Sequence, residues 1–224
     1  RARRRLVKGR WWFAEQFRQP QLHAIQEMEG VLGLAGIAPA SRSLEIFVSD
    51  SERGAITTRL DELGLAGRKL ALFSPMTRWQ TKNWPLENFV SLAGKLPDDW
   101  FVVLTGSEAQ RASLNALTEC LSSGRAACLA GQLTLLEFSE LVGRADLVVT
   151  GDSFPMHLAA AQDRPLVALF GPTDESRVGP LGIGTVVRAD VECRRCYRRA
   201  RCDRRCIEKI TVDQVLAAVN RATT

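Results

Sequence analysis

Asp146-Leu-Val-Val-Thr-Gly-Asp-Ser-Phe-Pro-Met-His157 is the stretch from which the fold follows. Its apolar run, Leu-Val-Val, is typical of a buried parallel strand. The chain then turns into an Ala-rich helix, with Asp152 or Ser153 as candidate caps and Pro155 in the first turn. A phosphate site is predicted at this turn, because free N–H groups and the helix dipole converge at an open helix N-terminus. The alternative is a capped helix that binds no ligand.

The same strand-then-helix rhythm repeats from residue 68 to residue 188. Apolar runs predict short strands, and capping boxes of the Ser/Thr-x-x-Glu/Gln type open the helices that follow Gly106 and Gly131. Such alternation is typical of an α/β protein with a doubly wound parallel sheet. Ligands of these sheets bind outside the carboxyl ends of the strands. The loops that follow the strands are therefore the candidate site.

The composition is ordinary for a globular protein, with 46% hydrophobic and 25% charged residues in a chain of 224. No apolar run approaches the roughly 20 residues that span a bilayer. The net charge of +5 is placed unevenly, because residues 1–10 hold six basic residues and residues 193–206 hold seven Arg against one acid. These two patches predict an anionic partner, such as a phosphorylated glycolipid, membrane headgroups or nucleic acid. Alternatively, they are solvated surface.

Four side chains in the post-strand loops have types suited to a nucleotide. Lys82 is a mobile point charge for a diphosphate, and Trp79 in the same loop could stack on a base or pack against the sheet. Glu108 could accept hydrogen bonds from ribose hydroxyls or, alternatively, complement a helix dipole. Leu133, in the loop after the third strand, could lie against a base edge.

The order of these motifs carries a resemblance. It reads T-R-(x)3-K-x-W-P, T-G-S-E, L-A-G-x-L-T-L, D-L-V-V-T-x-D-S-x-P-M-H-L-A-A-A and P-L-V-A-L-F-G-P-T-D. The set resembles the ADP-heptose-dependent heptosyltransferases of lipopolysaccharide core synthesis, which have two Rossmann domains. The resemblance covers about residues 68–221. It implies that residues 68–224 are a Rossmann-like donor-binding domain with a C-terminal helix, and that residues 1–67 are the remnant of an N-terminal acceptor domain and the linker.

The resemblance also implies roles for individual residues. Thr77 and Lys82 would hold the donor diphosphate, Glu108 the ribose and Leu133 the adenine. The sugar and phosphate end would be lined by Asp152, Ser153, Phe154, Pro155, Met156 and His157. Lys82 and Asp152 would be the catalytic residues.

The implied reaction is an inverting transfer of heptose from ADP-heptose to the inner lipopolysaccharide core, with no cofactor required for catalysis. The implied acceptor is lipid A–Kdo or a related phosphorylated glycolipid. We expect the protein in the cytoplasm, peripherally at the inner face of the membrane, with no nucleic acid partner. The family's proposed base lies near the start of the N-terminal domain and has no counterpart here, so we expect a donor-binding part that is inactive alone.

Two positions qualify these expectations. The family usually has Gly where this chain has Phe154, and Gly permits a closer backbone approach to a ligand. Phe154 is therefore expected to block or reshape the sugar end. His157, on the first helical turn, either contacts the donor or bonds only to a neighbouring loop.

A cysteine-rich segment, residues 193–206, follows the last predicted strand. Its spacing, C-x2-C-x5-C-x3-C, comes from Cys193, Cys196, Cys202 and Cys206. Four such thiolates could bind a structural zinc ion, with paired or free structural thiols as the alternative. Together with its seven Arg, the segment also leaves open an anion- or nucleic-acid-binding module. A nucleotide-sugar epimerase of similar fold is the other alternative, and it predicts more carboxylates around the sugar site.

Overall fold

The structure, a computed structural model, describes residues 22–39, 41, 44–121, 124–193 and 195–224. The chain divides into two compact units. The smaller includes residues 174–179 and helix α1, Ala24–Leu34, and the larger comprises residues 44–173 and 180–224. None of the described helices is both long and apolar enough to cross a membrane.

The smaller unit is organised by polar contacts around α1. The His23 ring accepts the Ile25 N–H through Nδ1 at 3.3 Å, and its Nε2 lies 3.0 Å from the carbonyl oxygen of Gly179. Arg177 forms an ion pair with Glu27 on α1. These contacts fasten residues 174–179 to α1 within the unit.

The larger unit contains a six-stranded parallel sheet of order β3-β2-β1-β4-β5-β6. The strands are β1, Lys69–Ser74; β2, Trp100–Leu104; β3, Ala126–Cys128; β4, Leu147–Gly151; β5, Leu166–Phe170; and β6, Thr185–Arg188. The predicted doubly wound α/β fold is confirmed. The strand order reverses direction between β1 and β4, which is where such sheets place their ligands.

The helices flank the strands, and the helix that follows Gly131 begins at its predicted capping box. They are α2, Asp50–Glu62; α3, Leu86–Lys95; α4, Arg111–Glu119; α5, Leu135–Gly143; α6, Phe154–Ala161; α7, Glu175–Val178, in the smaller unit; α8, Arg205–Glu208; and α9, Val212–Ala222. Capping boxes at Thr134 and Thr211 satisfy first-turn N–H groups of α5 and α9.

The core lies along the central strands, which are buried on both faces and therefore read as continuous apolar runs. Phe73 of β1 packs near Phe89 of α3, with ring centroids 5.8 Å apart. Trp84 is also buried there, and its indole N–H donates to the Ile210 carbonyl at 2.8 Å. Burying each such large side chain contributes about 1.5–3 kcal/mol. This packing gives the strand ends a rigid base.

The two compact units divide the chain differently from the predicted boundary at residue 68. Helix α2 packs against α5 and so belongs with the sheet. The predicted origin of residues 1–67 in an acceptor domain stays a prediction.

Candidate functional site

Lys82 and Asp152 form a mostly buried ion pair at the carboxyl edge of the sheet. The Lys82 Nζ donates to the Asp152 carboxylate at 2.6 Å, and the two side chains are 13% and 8% exposed. The same Nζ lies 3.3 Å from the Asp152 carbonyl oxygen. Lys82 ends a 3₁₀ turn, Gln80–Lys82, in the loop after β1, while Asp152 follows β4 directly. The sequence predicted both residues, and the sheet order brings them into contact.

The loop that carries Lys82 is held in shape by its own hydrogen bonds. The Asn83 side chain accepts the Thr77 N–H at 2.7 Å, and the Thr77 hydroxyl donates to the Trp79 carbonyl at 3.0 Å. A Cβ added to Gly151 would lie 3.2 Å from both the Lys82 carbonyl oxygen and the Thr77 methyl group. This contact requires a small residue at the end of β4.

Helix α6 begins next to this ion pair, with Ser153 at its N-cap position and Pro155 in its first turn. The predicted side-chain caps are not used. The Ser153 hydroxyl donates to the Gly151 carbonyl at 3.3 Å, and the Asp152 carboxylate is engaged by Lys82. Pro155 has no N–H and the Met156 N–H donates to the Ser153 carbonyl at 3.1 Å, so the Phe154 N–H is the group of the first turn that stays open to an anion.

Buried hydroxyls connect the ends of three neighbouring strands. Ser74 and Thr105 share a hydrogen bond of 2.6 Å, and the Thr150 hydroxyl lies 3.3 Å from the Ser74 carbonyl and 3.2 Å from the Ser153 hydroxyl. Since buried polar groups are costly when unpaired, these bonds fix the relative positions of the loops. The contrasting case is Thr173, whose buried hydroxyl has no partner among the described residues.

A pocket of about 420 Å³ opens where β1, β2 and β3 end. This volume lies within the range of small-molecule sites. Its walls combine apolar and hydroxyl side chains with backbone. The lining residues are Ser74, Met76, Thr105, Gly106, Ser107, Gln110, Leu129, Leu133, Thr134, Leu135, Phe138, Phe154 and Pro155. Leu133 and Phe154 were both predicted site residues, and this pocket brings them together.

Phe154 stands at the mouth of this pocket. Its side chain is 50% exposed, and its ring centroid lies 6.3 Å from that of Phe138 on α5. Phe154 thus forms part of the pocket wall at a position where the resemblance implies Gly.

The remaining predicted site residues have other surroundings. Glu108 is 67% exposed, lies in the first turn of the 3₁₀ helix that precedes α4, and pairs with Arg111. It lies against Gly131, whose left-handed backbone (φ 68°) leaves no room for a Cβ. The Met156 side chain is buried in the core, so only its backbone faces the turn. His157 is half-buried on the first turn of α6.

The cysteine-rich segment docks on the loop that carries Lys82. The Thr81 hydroxyl donates to the Arg198 carbonyl at 2.7 Å. The Arg199 guanidinium lies 4.4 Å from the centroid of the Trp79 ring, and Lys82 Nζ lies 4.3 Å from the same centroid. Sequence reasoning missed both contacts. Its only signals were the clustered Arg and the unassigned Trp.

The four thiols are not arranged as a metal-ligand set in this structure. Cys206 is buried, Cys196 and Cys202 are half-buried, and Cys193 is exposed. No three His, Cys, Asp or Glu side chains among the described residues are gathered closely enough to hold an ion. Burial and the neighbouring thiols raise the pKa of Cys206 to about 11, so this thiol is neutral at pH 7. The zinc site stays a prediction.

A second pocket, of about 870 Å³, is larger and lies to one side of the same loop. It is lined by Met76, Gln80, Asn83, Trp84, Pro85, Leu86, Glu87, Asn88, Arg204 and Glu208. Two acidic residues and no strand-end hydroxyls line it, so the 420 Å³ pocket is the better match for a nucleotide.

Comparison with known proteins gives concordant matches. A model of glycosyltransferase family 9 (heptosyltransferase) matches residues 12–206. Lipopolysaccharide heptosyltransferase 2 of Salmonella typhimurium is 39% identical over 104 residues, which cover 45% of this chain and 30% of that protein.

Among solved structures, the ADP-heptose lipopolysaccharide heptosyltransferase II of Escherichia coli superposes with a TM-score of 0.68 and 27% identity, over 83% of this chain and 55% of that one. A family 9 glycosyl transferase of Veillonella parvula has a TM-score of 0.75 at 23% identity, over 90% and 60% of the two chains, and so shares the fold. This chain spans about a third to three fifths of the length of these relatives.

Proposed function

Because the chain belongs to glycosyltransferase family 9 (heptosyltransferase), we propose that it is the donor-binding part of an enzyme that transfers heptose from ADP-heptose to the inner core of lipopolysaccharide. The Escherichia coli relative, at 27% identity, is described as an ADP-heptose heptosyltransferase. The Salmonella relative is named a lipopolysaccharide heptosyltransferase.

The observation that carries the proposal is the Lys82–Asp152 pair at the N-terminus of α6, beside the 420 Å³ pocket. We propose that the diphosphate binds at Lys82 and the uncapped N-terminus of α6, where charge and dipole both favour an anion. The adenine would enter the pocket and contact Leu133. Glu108, at the exposed rim, would leave Arg111 to accept the ribose hydroxyls.

The proposed reaction is a displacement at the anomeric carbon of heptose. The bond from that carbon to the phosphate oxygen breaks, a bond to the acceptor oxygen forms on the opposite face, and the acceptor proton passes to a base. Negative charge grows on the departing ADP, and Lys82 and the α6 N-terminus would stabilise it. Asp152 would orient Lys82 toward the leaving group. Thr77 would add a hydroxyl contact to the diphosphate.

The proposal extends to the acceptor and the place of action. The acceptor would be lipid A–Kdo or a related phosphorylated glycolipid, met at the cytoplasmic face of the inner membrane by a peripherally bound protein. The basic segment at residues 193–206 would favour such an anionic surface. An epimerase of similar fold would need carboxylates around the sugar beyond Asp152, and the match to a heptosyltransferase family favours the transferase.

The test is calorimetric titration of the chain with ADP and with UDP, for Lys82→Ala and for the exposed control Lys95→Ala. We expect ADP to bind and UDP to bind more weakly. Lys82→Ala should weaken ADP roughly 10- to 100-fold, since a charge-assisted contact is lost, while Lys95→Ala should match the wild type. Absence of ADP binding, or equal effects of the two variants, would reject the proposed donor site.

A further inference from the structure

The predicted diphosphate site has a shortage of positive charge. Its predicted cation, Lys82, already forms an ion pair with Asp152 at 2.6 Å. A diphosphate brings ionised oxygens, and a departing ADP gains more negative charge as the glycosidic bond breaks. The helix dipole of α6 supplies only a partial positive charge. A further cation within reach would complete the site.

Trp79 holds such a cation in place. The Arg199 guanidinium lies 4.4 Å from the Trp79 ring centroid and Lys82 Nζ lies 4.3 Å from it, both within the range of a cation–π contact. The two cationic groups are therefore within about 9 Å of each other, the sum of those distances. This upper limit is within the reach of a diphosphate that accepts a hydrogen bond of about 2.8 Å at each end.

Arg199 is exposed and has no acidic partner among the described residues. Among the described residues no carboxylate neutralises the Arg199 guanidinium, whereas Asp152 neutralises Lys82. Stacking on the indole restrains the guanidinium, so less side-chain entropy is lost when it binds an anion.

The backbone that carries Arg199 is fixed to the loop of Lys82. The Thr81 hydroxyl donates to the Arg198 carbonyl at 2.7 Å, and the Arg204 guanidinium reaches the Gln80 carbonyl at 3.4 Å. A Cβ on Gly171 would meet Cys206 and the Thr81 carbonyl at 3.4 Å, so the segment also packs closely on the end of β5. These contacts link the cysteine-rich segment to the diphosphate loop.

We propose that Arg199 is a second phosphate-binding cation of the donor site, delivered by the cysteine-rich segment and held on Trp79 beside Lys82. The inference rests on the proposed donor function and deepens it. Arg199 binds a phosphate oxygen of the nucleoside diphosphate and stabilises its charge as it leaves. The cysteine-rich segment thereby has a role in donor binding that requires no metal.

The test is ADP titration of the full 224-residue chain at low and high salt for four proteins: wild type, Arg199→Gln, Arg199→Lys and Arg198→Gln. Arg198→Gln is the matched control, because it removes the same charge from the neighbouring position. Arg198 contacts the loop through its backbone carbonyl, which the substitution leaves in place. We expect Arg199→Gln to weaken ADP about 5- to 20-fold at low salt, Arg199→Lys to recover part of this, and Arg198→Gln to stay within about twofold. The loss should shrink at high salt, because a partly exposed charge is screened.

Four outcomes would overturn the inference or the donor function on which it rests. Equal affinities for Arg199→Gln and Arg198→Gln would show that Arg199 does not reach the phosphates. A loss that persists at high salt and is not recovered by Lys would show that Arg199 acts only on the shape of the loop. A wild-type chain that does not bind ADP would reject the donor function itself, whereas ADP binding that depends on Lys82 and not on Arg199 would reject this inference alone.

Discussion

Replacing Lys82 with Met tests the buried ion pair without ligand. Met preserves most of the side-chain length and volume, so the main change is the loss of the charge. It leaves the Asp152 carboxylate, 8% exposed, without its cation. Removing one partner of a fully buried pair costs about 3–5 kcal/mol. Because Lys82 retains 13% exposure, water can partly replace it, and we expect a loss of about 2–3 kcal/mol in the free energy of unfolding.

The structure supplies a matched control. Lys95 and Asp213 form an ion pair of 2.9 Å, but their side chains are 48% and 82% exposed. An exposed pair contributes about 0–1 kcal/mol, so Lys95→Met should be nearly neutral. The double variant Lys82→Met with Asp152→Asn removes both charges and should lose less than the sum of the two single variants.

The assay is urea unfolding followed by far-ultraviolet circular dichroism, with free energies extrapolated to water. A difference between Lys82→Met and Lys95→Met below about 0.5 kcal/mol, the usual range of surface substitutions, would refute the reasoning. Additive single and double variants would refute it too, because they would show that the two groups do not interact in solution.

Three other predictions test the surroundings of the site. Gly131→Ala places a Cβ 2.6 Å from the Glu108 Cα. The left-handed backbone at this position should by itself cost about 1–2 kcal/mol with Ala, and the steric clash with Glu108 should add to that loss of stability. Gly124→Ala, with φ 75° and no atom within 4 Å, should show only the backbone cost in the same unfolding assay. Phe154→Gly should widen the mouth of the pocket and tighten ADP-heptose relative to ADP in calorimetry; an unchanged ratio would mean that the ring is clear of the sugar. Folding raises the pKa of Cys206 from 9.0 to about 11, so its contribution to stability is complete below pH 9 and is lost as the pH rises toward 11. Cys206→Ala should remove that part of the decline in stability. A chelator at neutral pH should lower the stability only if the predicted zinc is present.

Much of the fold was predictable because its local signals agree. The strands are buried on both faces, so their apolar runs stand out, and capping boxes such as those at Thr134 and Thr211 mark where helices begin. Strand order and pairing were less accessible, because they depend on contacts between residues far apart in sequence. The parallel topology followed from the alternation of elements, whereas the side-by-side position of β1 and β4 did not.

The site was predictable to the extent that strand ends converge. Lys82 was predicted from its type and its loop after β1, the role of Asp152 came from the family resemblance, and the sheet order brings the two into contact. The stacking of Arg199 on Trp79 was not predictable, because 120 residues separate them and no local pattern links an Arg-rich segment to one indole. Asp152 or Ser153 was predicted to cap α6, but the Asp152 carboxylate binds Lys82 and the Ser153 hydroxyl donates to the Gly151 carbonyl.

A crystal structure of this chain with ADP is the most direct test of the donor site. We expect the diphosphate to lie between Lys82 and the N-terminus of α6, with the adenine against Leu133 in the 420 Å³ pocket. ADP bound instead in the 870 Å³ pocket beside Arg204 and Glu208, or a diphosphate out of reach of Lys82, would contradict the proposed site.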